Sequence, residues 1–328
     1  MNNTPEAQRR YQLRLYQSHP LSVKIKMTQA RIREWYRHHG GKVYVAFSGG
    51  KDSTVLLDLV WSLYPDVPAV FADTGNELET VRAFVQGYGE RVTWVEPKMT
   101  FDEVVERYGY PVISKRVARY VCDLRRPKGA NEQTKRLRLT GITSKGHSAP
   151  SQMLAKKWRF LVEAPFGITN KCCGILKIRP TRPYMKQTGR VPFVGTMADE
   201  NLDRENSYIN HGGCNAFDQG DPQSRPMMFW TEQDVLAYIK DKQLPIAGAY
   251  GDIIKDCDGN LLTTGECRTG CKLCLFGIQF EKGENRIQRL ARVEPEAYRH
   301  CIEDLHYDKV MDYIGVDWRP YQDLFIGA

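Results

Sequence analysis

Six residues, Ser48-Gly49-Gly50-Lys51-Asp52-Ser53, restrict what this 328-residue chain can fold into more than any other feature. Before them stands Val43-Tyr44-Val45-Ala46-Phe47, a β-branched and aromatic run that predicts a short buried strand. After them Val55, Leu56, Leu59, Val60 and Leu63 fall at the spacing of a helix packed on one face, which predicts a helix over 54–63. A glycine pair at such a junction lets backbone N–H groups turn toward an anion, and the helix N-terminus adds partial positive charge. Lys51 contributes a full charge, and Ser48 and Ser53 contribute hydroxyls. The combination points to a phosphate cradle. Its spacing is not G-x-x-x-x-G-K-[ST], which takes support from kinase and GTPase readings.

The surrounding pattern extends the same theme. A helix is predicted over 21–39, stopped by Gly40-Gly41, then strands over 43–47, 68–72 and 91–95 with helices over 54–63 and 77–88 between them. This rhythm predicts an α/β fold with a doubly wound parallel sheet and right-handed crossovers. Further on, helical pieces are expected over 112–124 and 151–162, a strand over 191–195, and a capped helix starting at Thr231. Helical segments near 295–304 and 309–314 close the pattern. Three parts are expected: an N-terminal helical arm (1–41), a nucleotide-binding α/β domain (42–240) with a basic insertion (115–159), and a helical and irregular cysteine-bearing part (241–328).

Composition sets outer limits. No run approaches the roughly 18 apolar residues of a membrane span, and the polar, arginine-rich first 20 residues lack the apolar core of a secretory signal. A cytoplasmic protein without membrane partners is therefore expected. Nine cysteines in a reducing compartment point to metal or redox chemistry before disulfides. The net charge of +8 is concentrated: residues 115–159 hold 13 Lys and Arg against two acids. With Tyr120, Trp158 and Phe160 interleaved, this stretch is a candidate surface for RNA or DNA, against the alternative of a solvated face.

Cys271-Lys272-Leu273-Cys274 forms a C-x-x-C turn, which can bring two thiolates to one metal centre, and Cys172-Cys173 supplies a second pair. Iron–sulfur, zinc and metal-free thiols all remain open on spacing alone. Cys267 could replace one ligand in a three-cysteine arrangement. Cys122, Cys214, Cys257 and Cys301 stand alone and read as packing or surface residues.

Ser-Gly-Gly-Lys-Asp-Ser after a first strand resembles the PP-loop ATP pyrophosphatase superfamily, also called adenine nucleotide α-hydrolase-like. Phe71-Ala72-Asp73-Thr74-Gly75-Asn76-Glu77-Leu78-Glu79-Thr80 is similar to the second-strand motif of the phosphoadenylyl-sulfate (PAPS) reductase family within it. The resemblance implies ATP with Mg²⁺ in a cradle of Ser48, Gly49, Gly50, Lys51, Asp52 and Ser53, with Lys51 and Asp52 in catalytic roles. It also implies that Asp73, Thr74 and Gly75 line the nucleotide site, and that Cys172, Cys173, Cys271 and Cys274 hold a [4Fe–4S] cluster.

Two departures redirect the expected activity. Reductases of this family attack sulfate sulfur with a C-terminal cysteine in a Glu-Cys-Gly-Leu-His segment, whereas no cysteine follows Cys301 here. Their anion-holding G-x-R-x-x-E-S-x-x-R stretch reads Gly195-Thr196-Met197-Ala198-Asp199-Glu200 through Arg204, with Met197 in place of arginine. One charge-assisted contact of roughly 1.5–3 kcal/mol is thereby missing, while Glu200 and Arg204 remain as candidates. The resemblance then points to the phage, prophage and DNA-phosphorothioation-like branch: adenylation of a substrate, such as a nucleic acid, for iron–sulfur-dependent sulfur transfer. A cysteine desulfurase or other sulfur donor would be the partner. The alternatives are a thioredoxin-dependent adenylyl-sulfate or PAPS reductase using Cys257 or Cys301, and a non-catalytic redox regulator binding nucleotide and nucleic acid.

Overall fold

The computed structural model describes residues 4–127, 129–211, 213–217 and 220–320; Lys128 of the basic segment and residues 321–328 lie outside the described residues. Contacts divide the chain into two compact units. One gathers Met1–Asp73, Glu77–Pro97 and Ile178–Gly270, the other Thr74–Asn76, Lys98–Lys177 and Cys271–Ala328. The strands along the chain are β1 (Val43–Ala46), β2 (Ala69–Ala72), β3 (Val92–Val95), β4 (Val112–Ile113) and β5 (Val191–Val194). They continue with β6 (Asn215–Ala216), β7 (Gln223–Ser224), β8 (Ile253–Lys255), β9 (Leu261–Thr263) and β10 (Leu275–Phe276). No helix among the described residues is long and apolar enough to cross a membrane.

The first unit is built on a sheet of order β3-β2-β1-β5-β7-β6, parallel except for the last pair. Strand order runs outward in both directions from β1, the connectivity of a doubly wound α/β sheet, so the loop leaving β1 lies where the winding reverses. Register places Val45 beside Ala69 on one side and beside Phe193 on the other. Val43, Tyr44 and Val45 are all buried, as expected for a parallel strand covered on both faces. The helix Lys51–Trp61 buries Val55, Leu56, Leu59 and Val60, each contributing about 1.5–3 kcal/mol relative to exposure. It starts at Lys51 rather than at residue 54, so the end of the glycine loop is its first turn, where backbone amides have no intrahelical acceptor. The helix Leu21–His38 ends where Gly40 and Gly41 take positive φ. Ahead of it, the helix Pro5–Gln17 buries Leu13 and is tied down by Arg10 and Arg14 on Glu205.

The second unit is mostly helical around the parallel pair β4–β10. Two sequence expectations are corrected in it. The helix expected over 112–124 begins at Lys115, because Ile113 adopts φ 65° and Ser114 caps the Val117 amide; residues 112–113 are a strand instead. The helix expected over 151–162 is replaced by short 3₁₀ turns at Pro150–Gln152 and Lys156–Glu163. Between them the backbone extends, and the Leu154 amide donates to the Arg138 carbonyl at 2.7 Å instead of to a helical partner. The helix Phe101–Tyr108, with its Thr100/Glu103 capping box, was not expected from the sequence pattern. It ends at Gly109, where φ is 89° and an added Cβ would lie 1.9 Å from the Gly167 carbonyl carbon. Only glycine allows that approach.

Candidate nucleotide and cysteine sites

The loop after β1 is held by its own hydroxyls. Ser53 Oγ accepts from the Ser48 amide at 3.2 Å, donates to the Gly50 carbonyl at 2.8 Å and lies 3.0 Å from Ser48 Oγ. Gly49 takes φ 69°, and a Cβ there would meet Val85 Cγ2 at 2.7 Å. Gly195, at the end of β5, passes so near that its Cβ would lie 3.1 Å from the Asp52 carbonyl oxygen. The loop amides face hydroxyls: Gly50 N donates to Ser48 Oγ (3.4 Å) and Lys51 N to Tyr250 Oη (3.0 Å). Tyr250 Oη in turn lies 2.7 Å from Thr269 Oγ1. Lys51 is buried, with Nζ donating to the Cys267 carbonyl at 2.6 Å and lying 3.0 Å from Glu232 Oε1.

Charge converges on Asp52. Burial pushes its carboxyl up to about 6; Lys51 opposes this, Glu232 and Glu200 reinforce it, and Arg268 opposes it. Its Oδ1 is buried with no hydrogen-bond partner among the described residues. Glu200 accepts from the Met197 amide at 2.7 Å, and its other oxygen lies 3.7 Å from Arg268 and 3.9 Å from Arg204. The structure therefore gathers residues 48–53, Glu200 and Arg204 in one region of this unit. Met197, at the position where the resemblance implied arginine, is buried in the hydrophobic core.

Several neighbours of the loop carry no signal in the sequence: Tyr250, Thr269, Arg268 and the Cys267 carbonyl. Glu232 belongs to the Thr231-Glu232-Gln233-Asp234 helix start, where the pattern marked only a cap. Arg225 is also silent in sequence. It is buried, donates to Ser207 Oγ at 2.7 Å, and leaves Nε and one terminal nitrogen without a partner among the described residues. Asp73 pairs with Arg82 at 2.6 Å. Thr74 and Gly75 belong to the other unit, where Thr74 Oγ1 accepts from the Asn76 amide at 3.2 Å.

All four expected cluster cysteines fall in the second unit, whereas Cys267 falls in the first. One short stretch organises both pairs. Tyr110 bridges Ile168, four residues before Cys172, and β4 pairs with β10 directly after Cys274. The Cys271–Cys274 turn closes through Cys274 N to the Cys271 carbonyl (3.1 Å), and Asn76 binds the intervening Lys272 and Leu273 amides. Tyr307 Oη donates to the Leu273 carbonyl at 2.5 Å. The thiols influence one another. A hydrogen bond from Cys172 lowers Cys173 to about 6, with help from Lys115 and Lys177, and the same bond raises Cys172. Burial, with Cys271 and Cys173 adding, raises Cys274 to about 12. All nine cysteines are free thiols, and no three ligand side chains among the described residues are gathered tightly enough to hold a single metal ion.

Comparison with known proteins gives the family. The phosphoadenosine phosphosulfate reductase domain matches residues 42–142 and 129–254, more than half of the chain. An adenosine 5'-phosphosulfate reductase of Staphylococcus haemolyticus is 29% identical over 224 residues, covering 65% of this chain and 68% of that protein. The protein of the same name from Geobacillus kaustophilus is 30% identical over 114 residues, 33% of this chain and 46% of that one. A solved phosphoadenylyl-sulfate reductase from Candida auris, in a phosphate complex, overlaps 71% of this chain and 89% of its own with 14% identity. Its TM-score is 0.38. The domain match over residues 42–254, which include the loop after β1, places this chain in the phosphoadenosine phosphosulfate reductase domain family.

Proposed function

We propose that the chain is an ATP pyrophosphatase of this family, adenylating an acceptor for sulfur transfer. The observation that carries the proposal is the loop itself: Lys51 and the first-turn amides of the helix after β1 stand directly at the sheet's reversal point. In the proposed reaction an acceptor oxygen attacks the α-phosphorus of ATP, which arrives with Mg²⁺. The bond to the bridging oxygen breaks, pyrophosphate leaves, and the acceptor's proton passes to solvent or a base. Lys51 and the loop amides stabilise the charge developing on the leaving group. Tyr250 Oη and the Cys267 carbonyl must yield those donors to phosphate when nucleotide binds.

Cys172, Cys173, Cys271 and Cys274 are proposed to hold a [4Fe–4S] cluster. Their donor set fits it. Two cysteine pairs supply the four thiolates such a cluster takes, and the pairs lie near enough for Cys172, Cys173 and Cys274 to influence one another. When bound, the cluster supplies sulfur-handling or redox chemistry, while the chain's own part is to present and orient the thiolates. The basic segment makes a nucleic acid the proposed acceptor class, as in the DNA-phosphorothioation-like branch, and a cysteine desulfurase the proposed sulfur donor.

The names of the relatives favour a second reading, reduction of adenylyl sulfate. For it the nucleophile would be Cys257, exposed in the turn between β8 and β9, because Cys301 is buried and donates to the Tyr298 carbonyl at 3.1 Å. Purified protein given ATP and acceptor should release pyrophosphate. Release of sulfite from adenylyl sulfate with thioredoxin, and no pyrophosphate from ATP, would establish the second reading instead.

A further inference from the structure

In the second unit, the helices Lys115–Leu124 and Glu132–Thr140 and the stretch ending at Lys171 enclose a cavity of about 300 Å³. Its wall is unusually charged. Arg119, Arg126, Arg138 and Lys171 bring four cations, and Asp123 is the single carboxylate. Asp123 is already committed: Arg138 Nε takes one oxygen at 3.0 Å, and Arg126 lies 3.4 Å from the other. Arg138 is buried, donates to the Gln152 carbonyl at 3.1 Å and lies over the Tyr120 ring at 3.9 Å. This makes a fixed floor. Arg119, Arg126 and Lys171 are exposed at the rim, and Arg119 has no ion-pair partner among the described residues. Asn131, Thr134 and Asn170 add uncharged polar groups.

Like charges crowded around a concave wall repel one another, and the arrangement becomes favourable when an anion enters. We propose that this cavity binds the phosphate group of a nucleotide or nucleic-acid strand. Guanidinium forks from Arg119 and Arg126 match a tetrahedral oxyanion better than they match a chloride or a lone carboxylate. The space exceeds what a bare phosphate fills, leaving room for the attached sugar. Exposed Arg136, Lys145, Lys156 and Lys157 in the same basic segment favour a strand as the source. The phosphate site stands apart from the reading of the glycine loop, and only its nucleic-acid source rests on the proposed acceptor.

The test uses the full chain carrying Arg119→Gln and Lys171→Gln together, with Lys309→Gln, exposed and outside both the cavity wall and the basic segment, as control. Binding is followed for inorganic phosphate, adenosine monophosphate and a single-stranded oligonucleotide with and without a 5′-phosphate, alongside thermal melting to confirm folding. The double variant should lose about tenfold or more in affinity for a phosphate ester, with an unchanged melt and an effect of less than about threefold in the control. Loss seen with the oligonucleotide identifies a strand as the source. Loss confined to phosphate and the mononucleotide keeps the site but assigns it to a free nucleotide, and the acceptor proposal falls. If a folded double variant binds every probe as the parent does, or no probe binds the parent at millimolar concentration, the cavity is not a phosphate site.

Discussion

Lys51 Nζ donates to the carbonyl oxygen of Cys267 at 2.6 Å while lying 3.0 Å from Glu232 Oε1. The loop lysine is thus held by an acceptor and a carboxylate that compete with phosphate for the same ammonium. Two substitutions should act in opposite directions. Lys51→Ala should weaken ATP binding by roughly ten- to a hundredfold, the value of one charge-assisted hydrogen bond. Glu232→Gln should tighten ATP binding several-fold while lowering stability, because the buried ammonium loses its counter-charge. Calorimetry on folded variants decides; equal affinity in Lys51→Ala and parent would remove the loop from the nucleotide site.

Asp52 gives the site a pH dependence. Its carboxyl is raised from 3.8 to about 6, chiefly by burial. A raised carboxyl pKa means that the folded state holds the proton more tightly than the unfolded one, so this group's contribution to stability is full below pH 3.8 and lost as pH rises through about 6. At about 1.4 kcal/mol per pH unit, the ionised carboxylate costs up to about 3 kcal/mol above that range. Asp52→Asn should therefore raise the melting temperature at pH 7–8 and abolish the stability loss that runs between about pH 3.8 and pH 6. A variant that melts lower at pH 8 than the parent would show that the carboxylate has a stabilising partner there.

How much of this was legible follows from distance along the chain. The strand, loop and helix around residues 43–63 are local, and periodicity marked them to within three residues. The cysteine pairs stand out in the sequence, but not the Tyr110–Ile168 bridge and the β4–β10 pairing that organise them, because such pairings join distant stretches. Tyr250, the Cys267 carbonyl and Glu232 reach Lys51 from about 180 to 220 residues away, and nothing near them in sequence marks the contact. Residues 151–162 have helical spacing yet form 3₁₀ turns, since a backbone bond from Leu154 to Arg138 overrides local preference. The basic run read as one charged surface, although it is divided between an inward-bound set and an outward-facing set.

The cysteine proposal is settled by metal content and colour. Anaerobically purified protein should carry about four irons per chain and absorb broadly in the visible. Serine at Cys172, Cys173, Cys271 or Cys274 should each bleach it. Cys301→Ser should not, because that thiol is buried against the Tyr298 carbonyl. Loss of colour in Cys267→Ser would establish the three-cysteine alternative, and stoichiometric zinc without iron would overturn the cluster.

Arg125 and Arg126 are neighbours in sequence with opposite fates, and the difference can be measured. Arg125 donates to four backbone carbonyls, those of Leu161 (2.7 Å), Val162 (3.0 Å), Ala164 (2.8 Å) and Phe166 (2.6 Å). It fastens the turn that leads toward Gly167 and the Cys172-Cys173 pair. Arg126 is exposed and contributes one ion pair to Asp123. Arg125→Ala should cost about 3–5 kcal/mol, since it strips a charged donor from several carbonyls at once, whereas Arg126→Ala should cost about 1 kcal/mol or less. Arg125→Lys should restore only part of the loss, because an ammonium cannot reproduce the planar fork. Hydrogen exchange should quicken over residues 161–173 in Arg125→Ala and stay unchanged there in Arg126→Ala. Equal melting temperatures for the two alanine variants would mean that the carbonyl clamp does not hold the turn, and any loss of nucleic-acid binding in Arg125→Ala would then report a direct contact rather than a loosened scaffold.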